Sequence, residues 1–121
     1  MKLRPDTIPG LSVTAYGPGW VAINGEKCTS SLIVSSAGER FAWECSRFED
    51  LQASHFDRLA TMDTELVIFG SGSRIQFPQP QWLQALYAKR IGLETMDTQA
   101  ACRTYNFLAS EGRKVVAALL L

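Results

Sequence analysis

The fold is decided by residues 65–121, which read ELVIFGSGSRIQFPQPQWLQALYAKRIGLETMDTQAACRTYNFLASEGRKVVAALLL. Strands are predicted at 65–69, 93–96 and 115–121, the first and last of which are apolar runs. They alternate with two segments whose apolar residues recur at helical spacing. Strands that alternate with helices predict right-handed crossovers between parallel strands. We therefore expect a β-α-β-α-β arrangement in this half of the chain.

The two helices of this half have start and stop signals. Two prolines stand just before the first helix, in the turn where a missing amide costs nothing. Gly92 is predicted to end that helix as its C′ residue. Asp97 or Thr98 is predicted to cap the second helix, and Gly112 to end it.

The first third of the chain reads as an antiparallel meander. We predict four strands, at 11–16, 20–23, 28–35 and 41–43. Asn24-Gly25 is a strong hairpin signal, because both residues tolerate the positive φ of a type I′ turn. A helix is predicted within 47–61, where Ser46 and Glu49 fit a capping box and Ser54 is an alternative start.

Composition excludes several classes of function. The 12 Lys and Arg residues equal the 12 Asp and Glu residues in number, and no basic cluster predicts a nucleic-acid partner. The three cysteines (Cys28, Cys45 and Cys102) form no CxxC pair, and His55 is the single histidine. We therefore expect no metal and no cofactor, and reduced thiols that act as small core residues.

The sequence carries no sign of export or membrane insertion. Residues 1–10 contain no long apolar run, and their two prolines predict an irregular lead-in arm rather than a signal peptide. The apolar run at 115–121 is shorter than the roughly 20 residues that a membrane-spanning helix needs. We expect a soluble, cytoplasmic protein that forms a single α/β domain over residues 1–121.

One corner of the predicted sheet is a candidate ligand site. The loop at 70–74 follows the carboxyl end of a strand, where open α/β sheets bind ligands. Its glycines would let backbone amides approach an anion, and a helix beginning nearby would add free amides. The candidate ligand-binding residues are Gly70, Ser71, Gly72, Ser73, Arg74, Asp97 and Thr98. The alternative is a tight crossover loop that needs glycine only for its backbone conformation.

We assign no catalytic residue. Ser71 and Ser73 are spaced G-S-G-S, which does not match the G-x-S-x-G nucleophile elbow. Cys102 falls in the middle of a helix beside its apolar stripe, as is typical of a core thiol. His55 lies at the edge of an apolar stripe, and the sequence identifies no partner that would orient it as a base.

Two helix residues break their local pattern. At 100° per residue, Phe107 falls near Arg103 on the polar side of its helix, which indicates a candidate interaction surface or dimer contact. Arg90 falls within the apolar arc of the preceding helix. It would either extend past the final turn to water or pair with a carboxylate.

Several short motifs in this half are characteristic of one family. The Gly70 and Gly72 loop, Pro78, Asp97-Thr98, Thr104-Tyr105-Asn106 and Glu111-Gly112-Arg113 stand where that family has them. The chain resembles a small domain-of-unknown-function family found in bacteria, archaea and mitochondria, whose mitochondrial member is an assembly factor for respiratory complex I. The resemblance implies a compact three-layer α/β domain with a mixed central sheet and no established enzyme activity.

Three hypotheses about function follow. The first is a cytoplasmic accessory protein that acts through protein contacts, in the assembly of a respiratory membrane complex, without inserting into the membrane. The second is a small anionic ligand-binding protein or enzyme that uses the loop at 70–74. The third is a structural homodimer with no further chemistry.

Overall fold

The computed structural model describes residues 10–121. The predicted lead-in arm therefore lies outside the described residues, except for Gly10. Residues 10–121 form eight strands: β1 (Val13–Gly17), β2 (Trp20–Ile23), β3 (Glu26–Cys28), β4 (Leu32–Ser35), β5 (Arg40–Ala42), β6 (Leu66–Gly70), β7 (Gly92–Met96) and β8 (Val115–Leu119). The described part of the chain also contains three α-helices: α1 (Ala53–Leu59), α2 (Gln84–Ala88) and α3 (Thr98–Ser110). Short 3-10 helices cover Phe48–Asp50 and Pro80–Leu83.

The strands form two sheets. A small antiparallel sheet has the order β1-β2-β3, and a large sheet has the order β5-β4-β8-β6-β7. In the large sheet β6 is parallel to both β7 and β8, whereas β4 is antiparallel to β5 and β8. The predicted parallel β-α-β-α-β arrangement and the mixed central sheet are therefore confirmed.

The large sheet is the middle of three layers. Alternate residues of β6 face opposite ways: Val67 and Phe69 pack with α1 and α2, whereas Ile68 packs with α3 and the small sheet. All five residues of β8 are buried. Burial on both faces explains why these strands appear in the sequence as continuous apolar runs rather than alternating ones.

The hairpin between β2 and β3 forms as predicted. Asn24 and Gly25 both have positive φ, of 47° and 88°. Ile23 then pairs with Glu26 across a two-residue turn. Positive φ at both central residues is what a type I′ turn requires, so the local signal was sufficient here.

The prediction of a single strand at 28–35 was wrong. The chain leaves the small sheet after Cys28 and enters the large sheet at Leu32, so this stretch forms parts of two strands. The predicted strand at 41–43 is observed as Arg40–Ala42, and it also belongs to the large sheet. The meander is therefore divided between two layers.

The helical segment within 47–61 starts differently from the prediction. A 3-10 turn at Phe48–Asp50 has no side-chain cap, so the predicted capping box at Ser46 does not form. A capping box forms instead between Gln52 and His55, at the start of α1. The chain runs extended at Gln52 before the helix begins, and this divides the segment in two.

The prediction that Gly92 ends a helix was also wrong. Helix α2 ends at Ala88, and Arg90 takes the left-handed conformation with φ 58°. Ile91 is buried and Gly92 already begins β7. Because Gly92 belongs to β7, the left-handed residue that ends the helix lies two positions before it, at Arg90. Arg90 lies outside the helix with an exposed side chain, rather than within its apolar arc.

Candidate functional site

The candidate corner lies where the chain leaves β6 and β7. These two strands are parallel neighbours, so their carboxyl ends meet at one rim of the sheet. The connection after β6 leads to the α1 and α2 face, whereas the connection after β7 leads to α3 on the opposite face. A crevice between strands whose connections diverge in this way is the usual ligand position in an open α/β sheet.

This crevice is closed by hydrogen bonds within the chain. The Ser71 amide donates to the Met96 carbonyl at 2.9 Å, and the Thr98 amide donates to the Gly72 carbonyl at 2.9 Å. The Gly72 amide in turn donates to the Thr98 hydroxyl at 2.9 Å. The sequence therefore predicted correctly that these segments meet, but their backbone groups bind each other.

The two buried hydroxyls of the corner are satisfied internally. Ser71 Oγ donates to the Arg74 carbonyl at 2.8 Å and accepts from the Gln76 amide at 2.9 Å. Thr98 Oγ1 donates to the Leu120 carbonyl at 2.8 Å. Ser71 and Thr98 are only 2% and 7% exposed. Buried polar groups are normally paired in this way, and these hydroxyls fix the rim of the sheet.

Backbone conformation and close packing explain why the loop has glycine at positions 70 and 72. Gly72 has φ 109°, which favours glycine. A Cβ atom on Gly70 would lie 3.0 Å from Thr98 Cα, 3.0 Å from Leu119 Cδ2 and 3.1 Å from Ala101 Cβ. Glycine at position 70 therefore allows α3 to pack closely against the sheet.

A cleft of about 580 Å³ lies just outside the closed crevice. Five of the seven candidate ligand residues line it: Ser71, Gly72, Ser73, Asp97 and Thr98. Gly70 is buried in β6, and the exposed side chain of Arg74 is not part of the lining. The loop thus contributes to a cleft, but without the guanidinium that was expected to attract an anion.

The charges of the cleft differ from the prediction of an anion site. Its charged lining residues are Arg47, Glu49 and Asp97. Arg47 Nε lies 3.8 Å from a carboxylate oxygen of Glu49 and 3.8 Å from one of Asp50. Asp97 accepts from the Ala100 amide at 3.0 Å, which confirms it as the cap of α3. The lining therefore carries two carboxylates and one guanidinium, and this excess of negative charge disfavours a small anion.

The other walls of the cleft come from distant parts of the chain. They are contributed by residues 17–19, by residues 46–49, and by Leu120 and Leu121. No local pattern in the sequence connects these segments to the glycine loop. Only the tertiary arrangement of the small sheet and the 3-10 turn brings them together.

The two residues of the candidate interaction surface have different environments. Phe107 is 63% exposed on α3. Arg103 Nη1 donates to the Tyr16 hydroxyl at 2.9 Å, and its guanidinium lies 5.9 Å from the centre of that ring. Arg103 therefore ties α3 to β1, and Phe107 is the residue of the pair that presents an apolar surface.

Other large apolar side chains are exposed as well. Phe77 is 68% exposed and Ile75 is 50% exposed, both in the loop between β6 and α2. Tyr87 on α2 is 56% exposed. Isolated apolar residues are common on protein surfaces, but aromatic residues are also enriched in interfaces.

The Tyr105-Asn106 motif fastens the small sheet to α3. Tyr105 is fully buried, and its hydroxyl donates to the Leu11 carbonyl at 2.6 Å. Burial raises the pKa of this phenol above its ordinary value. Asn106 accepts from the Val13 amide at 2.9 Å and donates to the Val13 carbonyl at 2.7 Å. These residues hold β1 in place, which is a structural task.

The Glu111-Gly112-Arg113 motif ends α3. Gly112, with φ 79°, donates to the Ala109 carbonyl, and the Arg113 amide donates to the Leu108 carbonyl. This is the Schellman pattern and confirms Gly112 as the end of the helix. The Arg113 guanidinium lies 2.8 Å from the Glu65 carboxylate and holds the pKa of that carboxyl below its usual range.

His55 is held by backbone groups on both ring nitrogens. The Gln52 amide donates to His55 Nδ1 at 3.0 Å. His55 Nε2 lies 3.0 Å from the Glu44 carbonyl. The tautomer with its proton on Nε2 satisfies both contacts, and the ring packs edge-on against Trp43. His55 therefore acts as a packed capping residue of α1.

The cysteines fit the prediction of small core residues at two of three positions. Cys45 and Cys102 are buried, whereas Cys28 is half-buried, and all three are free thiols. Burial raises the pKa of the Cys102 thiol to about 11. Between residues 10 and 121, no three His, Cys, Asp or Glu side chains are grouped as metal ligands would be.

The helices are short. Among those that the structure describes, none combines the length and the apolar character that crossing a bilayer requires.

Comparison with known sequences identifies relatives of this arrangement. Residues 13–120 match the profile of a family described as "Protein of unknown function (DUF498/DUF598)". Proteins named "NADH dehydrogenase (ubiquinone) 1 alpha subcomplex assembly factor 3" from Bos taurus and Homo sapiens are 35% and 30% identical over 98% of this chain. The chain spans 65% of the length of each. An uncharacterized protein of Rhodobacter capsulatus is 35% identical, with 97% of this chain and 90% of that protein covered.

Solved structures show the same fold. The crystal structure of a Bordetella parapertussis protein has a TM-score of 0.87 and 38% identity, covering 96% of this chain and 98% of that chain. The solution structure of a Bordetella pertussis protein described as a Mth938-like domain has a TM-score of 0.83 and 33% identity, covering 99% of this chain and 92% of that chain. The predicted family resemblance and fold class are both confirmed.

Proposed function

The chain belongs to the DUF498/DUF598 family, and from this premise we propose that it is an accessory protein in the assembly of a respiratory membrane complex. It acts in the cytoplasm, through protein–protein contacts and without catalysis. The motivating comparison is the 35% identity to the bovine assembly factor over 98% of this chain. Because the chain spans 65% of that relative, the assembly role is an inference about the shared domain.

The observation that carries the proposal is the contrast between satisfied polar groups and exposed apolar ones. The motif residues with buried polar side chains, such as Thr98 and Tyr105, bind other parts of the same chain. The described surface offers large apolar side chains instead, among them Phe77 and Phe107. Aromatic side chains are enriched in protein interfaces, which supports recognition of another protein.

The test is complementation of a host strain that lacks the gene. We expect membranes of that strain to contain less assembled NADH dehydrogenase, and wild-type protein to restore it. Phe107→Glu should fail to restore assembly, because it places a charge on an exposed apolar contact. Phe107→Leu is the matched control and should restore it. Normal assembly in the strain without the gene would contradict the proposal.

A small-ligand function is the second candidate, and the cleft is the observation that favours it. Its volume of about 580 Å³ lies within the range of small-molecule sites. The lining carboxylates favour a neutral or cationic ligand over the anion that the glycine loop predicted. Copurification of a small molecule with wild-type protein, lost on Ser73→Trp but kept on Arg74→Ala, would support this candidate.

A further inference from the structure

Strand β7 is an open edge of the large sheet. It pairs with β6 on one side, and the strand order places it last. We propose that this edge binds an extended strand of a partner protein that carries Lys or Arg opposite Glu94. The inference rests on the proposed assembly function and identifies the surface and the chemistry of its partner.

Hydrogen bonding identifies the free backbone groups. The Gly92 amide donates to the Glu65 carbonyl, and the Met96 carbonyl accepts from the Ser71 amide. The amide and carbonyl of one strand residue point to the same side, and successive residues alternate. Gly92, Glu94 and Met96 therefore face β6, whereas Leu93 and Thr95 face outward. We call the amides and carbonyls of Leu93 and Thr95 the β7 edge.

The described part of the chain leaves the β7 edge uncovered. No side chain in residues 10–121 forms a hydrogen bond with these four groups, and the neighbouring positions Gly92 and Glu94 are exposed. The strand is five residues long, with no proline and no bulge. Natural proteins usually protect such an edge with charge, proline or a covering element, since it is a template for another strand.

The opposite edge of the same sheet is shorter and partly covered. The β5 strand has three residues, and its outward Ala42 carbonyl accepts from Arg58 Nη1 at 3.2 Å. The Arg58 guanidinium also lies over the Phe41 ring, 4.2 Å from its centre. Because the β5 edge is shorter and one of its outward carbonyls is already bonded, the longer β7 edge is the better site for strand addition.

A second copy of this chain is a poor occupant of the β7 edge. In antiparallel pairing about a two-fold axis, Leu93 of each copy would exchange hydrogen bonds with Thr95 of the other. This register uses all four free groups, and it places Glu94 directly opposite itself. The two Cα atoms of such a pair are only about 4.5 Å apart, and like charges there are destabilising.

The same charge favours a different occupant. Glu94 is exposed, and among residues 10–121 no ion pair neutralises it. A Lys or Arg on the added strand, placed directly opposite Glu94, would form a cross-strand ion pair with it. The half-buried Leu93 and Thr95 side chains flank this position on the other face of the sheet and would contact apolar or β-branched neighbours.

The first experiment uses two synthetic peptides of alternating threonine and valine. They are identical except for a central lysine or glutamate. Titrated into the purified full chain, the lysine peptide should slow hydrogen exchange at the Leu93 and Thr95 amides. It should also bind about fivefold more tightly than the glutamate peptide, as expected when one cross-strand charge pair changes sign. In the Glu94→Lys variant this preference should reverse.

Two variants of one residue provide the control. Thr95→Pro removes an outward amide and should abolish peptide binding, whereas Thr95→Val keeps the amide and should retain it. The proposal is overturned if the lysine peptide leaves the Leu93 and Thr95 amides unchanged, or if Glu94→Lys keeps the preference for lysine. Protection of these amides that rises with protein concentration alone would instead identify a second copy as the occupant.

Failure of this inference is distinguishable from failure of the proposed function. If Thr95→Pro restores NADH dehydrogenase assembly in the host as well as Thr95→Val does, the β7 edge is not the contact, although the assembly role stands. If wild-type protein has no effect on assembly, the function fails whatever the peptides do.

Discussion

The two edges of the large sheet differ in how the chain treats their backbone groups. At β5 the chain covers part of its own edge: Arg58 binds the Ala42 carbonyl at 3.2 Å, and the Arg40 side chain forms an ion pair with Glu26 of the small sheet at 3.0 Å. At β7 the outward groups of Leu93 and Thr95 have no partner among residues 10–121. The difference separates a backbone group that binds within the chain from groups that have no partner among residues 10–121.

The carboxyl rim of the sheet resembles the β5 edge in this respect. Ser71 and Thr98 stood out in the sequence as candidate ligand residues, yet both hydroxyls bind other parts of the same chain. A polar side chain in a sheet corner is therefore weak evidence for a ligand until its own hydrogen bonds have been traced. The outward backbone groups of β7 differ in that they have no partner among residues 10–121.

The largest expected loss of stability comes from removing a β7 amide that faces β6 rather than one that faces outward. Glu94→Pro removes an amide that faces β6 and leaves a carbonyl of the buried β6 strand unpaired, which should destabilise the protein by about 3 kcal/mol. Thr95→Pro removes an outward amide and should cost less than about 1 kcal/mol. Denaturant unfolding of both variants measures the difference.

Equal losses of stability in Glu94→Pro and Thr95→Pro would contradict the description of β7 as an open edge. They would mean that the Thr95 amide is paired in solution, either with a second copy or with residues before Gly10. Thr95→Val separates this case from a simple loss of side-chain packing, because it keeps the amide and should unfold close to the wild type.

The next largest effect is expected at the rim. Thr98→Val should destabilise the protein by about 2 kcal/mol, since it leaves the Gly72 amide and the Leu120 carbonyl without their hydroxyl partner. Thr98→Ser keeps the hydroxyl and is the matched control. If Thr98→Val unfolds like the wild type, the corner is not held together as the hydrogen bonds indicate, and its role in ligand binding deserves a new test.

The smallest effect is expected at the covered edge. Arg58→Ala removes the hydrogen bond to the Ala42 carbonyl and the cation over the Phe41 ring, and should cost no more than about 1 kcal/mol. Denaturant unfolding checks the stability, and amide exchange at Ala42 reports whether the edge opens. Arg58→Lys keeps a cation over the Phe41 ring, and its stability should fall between those of the wild type and Arg58→Ala. If the threonine–valine peptides bound at the β5 edge in the Arg58→Ala variant but not in the wild type, Arg58 would be shown to protect that edge.

Local signals predicted the elements that depend on a few neighbouring residues. The Asn24-Gly25 turn, the Asp97 cap and the Gly112 helix end all form as expected. Each of them depends on a backbone preference or a hydrogen bond within one turn of chain. The continuous apolar runs at 65–69 and 115–121 correspond to β6 and β8, which are buried on both faces, as such runs indicate.

Long-range contacts account for what the sequence did not predict. Nothing local shows that residues 28–35 cross from one sheet to another, or that Arg90 rather than Gly92 takes the left-handed conformation. The open edge itself follows from strand order: β8 pairs with β6 and β4, which leaves β7 at the end of the sheet. That choice depends on how α3 packs across the sheet, and no pattern within β7 reveals it.

The most direct test of the central claim is amide hydrogen exchange along β7 in the free protein. We predict that the Leu93 and Thr95 amides exchange rapidly, whereas the Glu94 amide between them is protected by its bond to β6. A strand added at the β7 edge should then protect all three. Equal protection of all three amides in the free protein would contradict the account, because the edge would already be occupied.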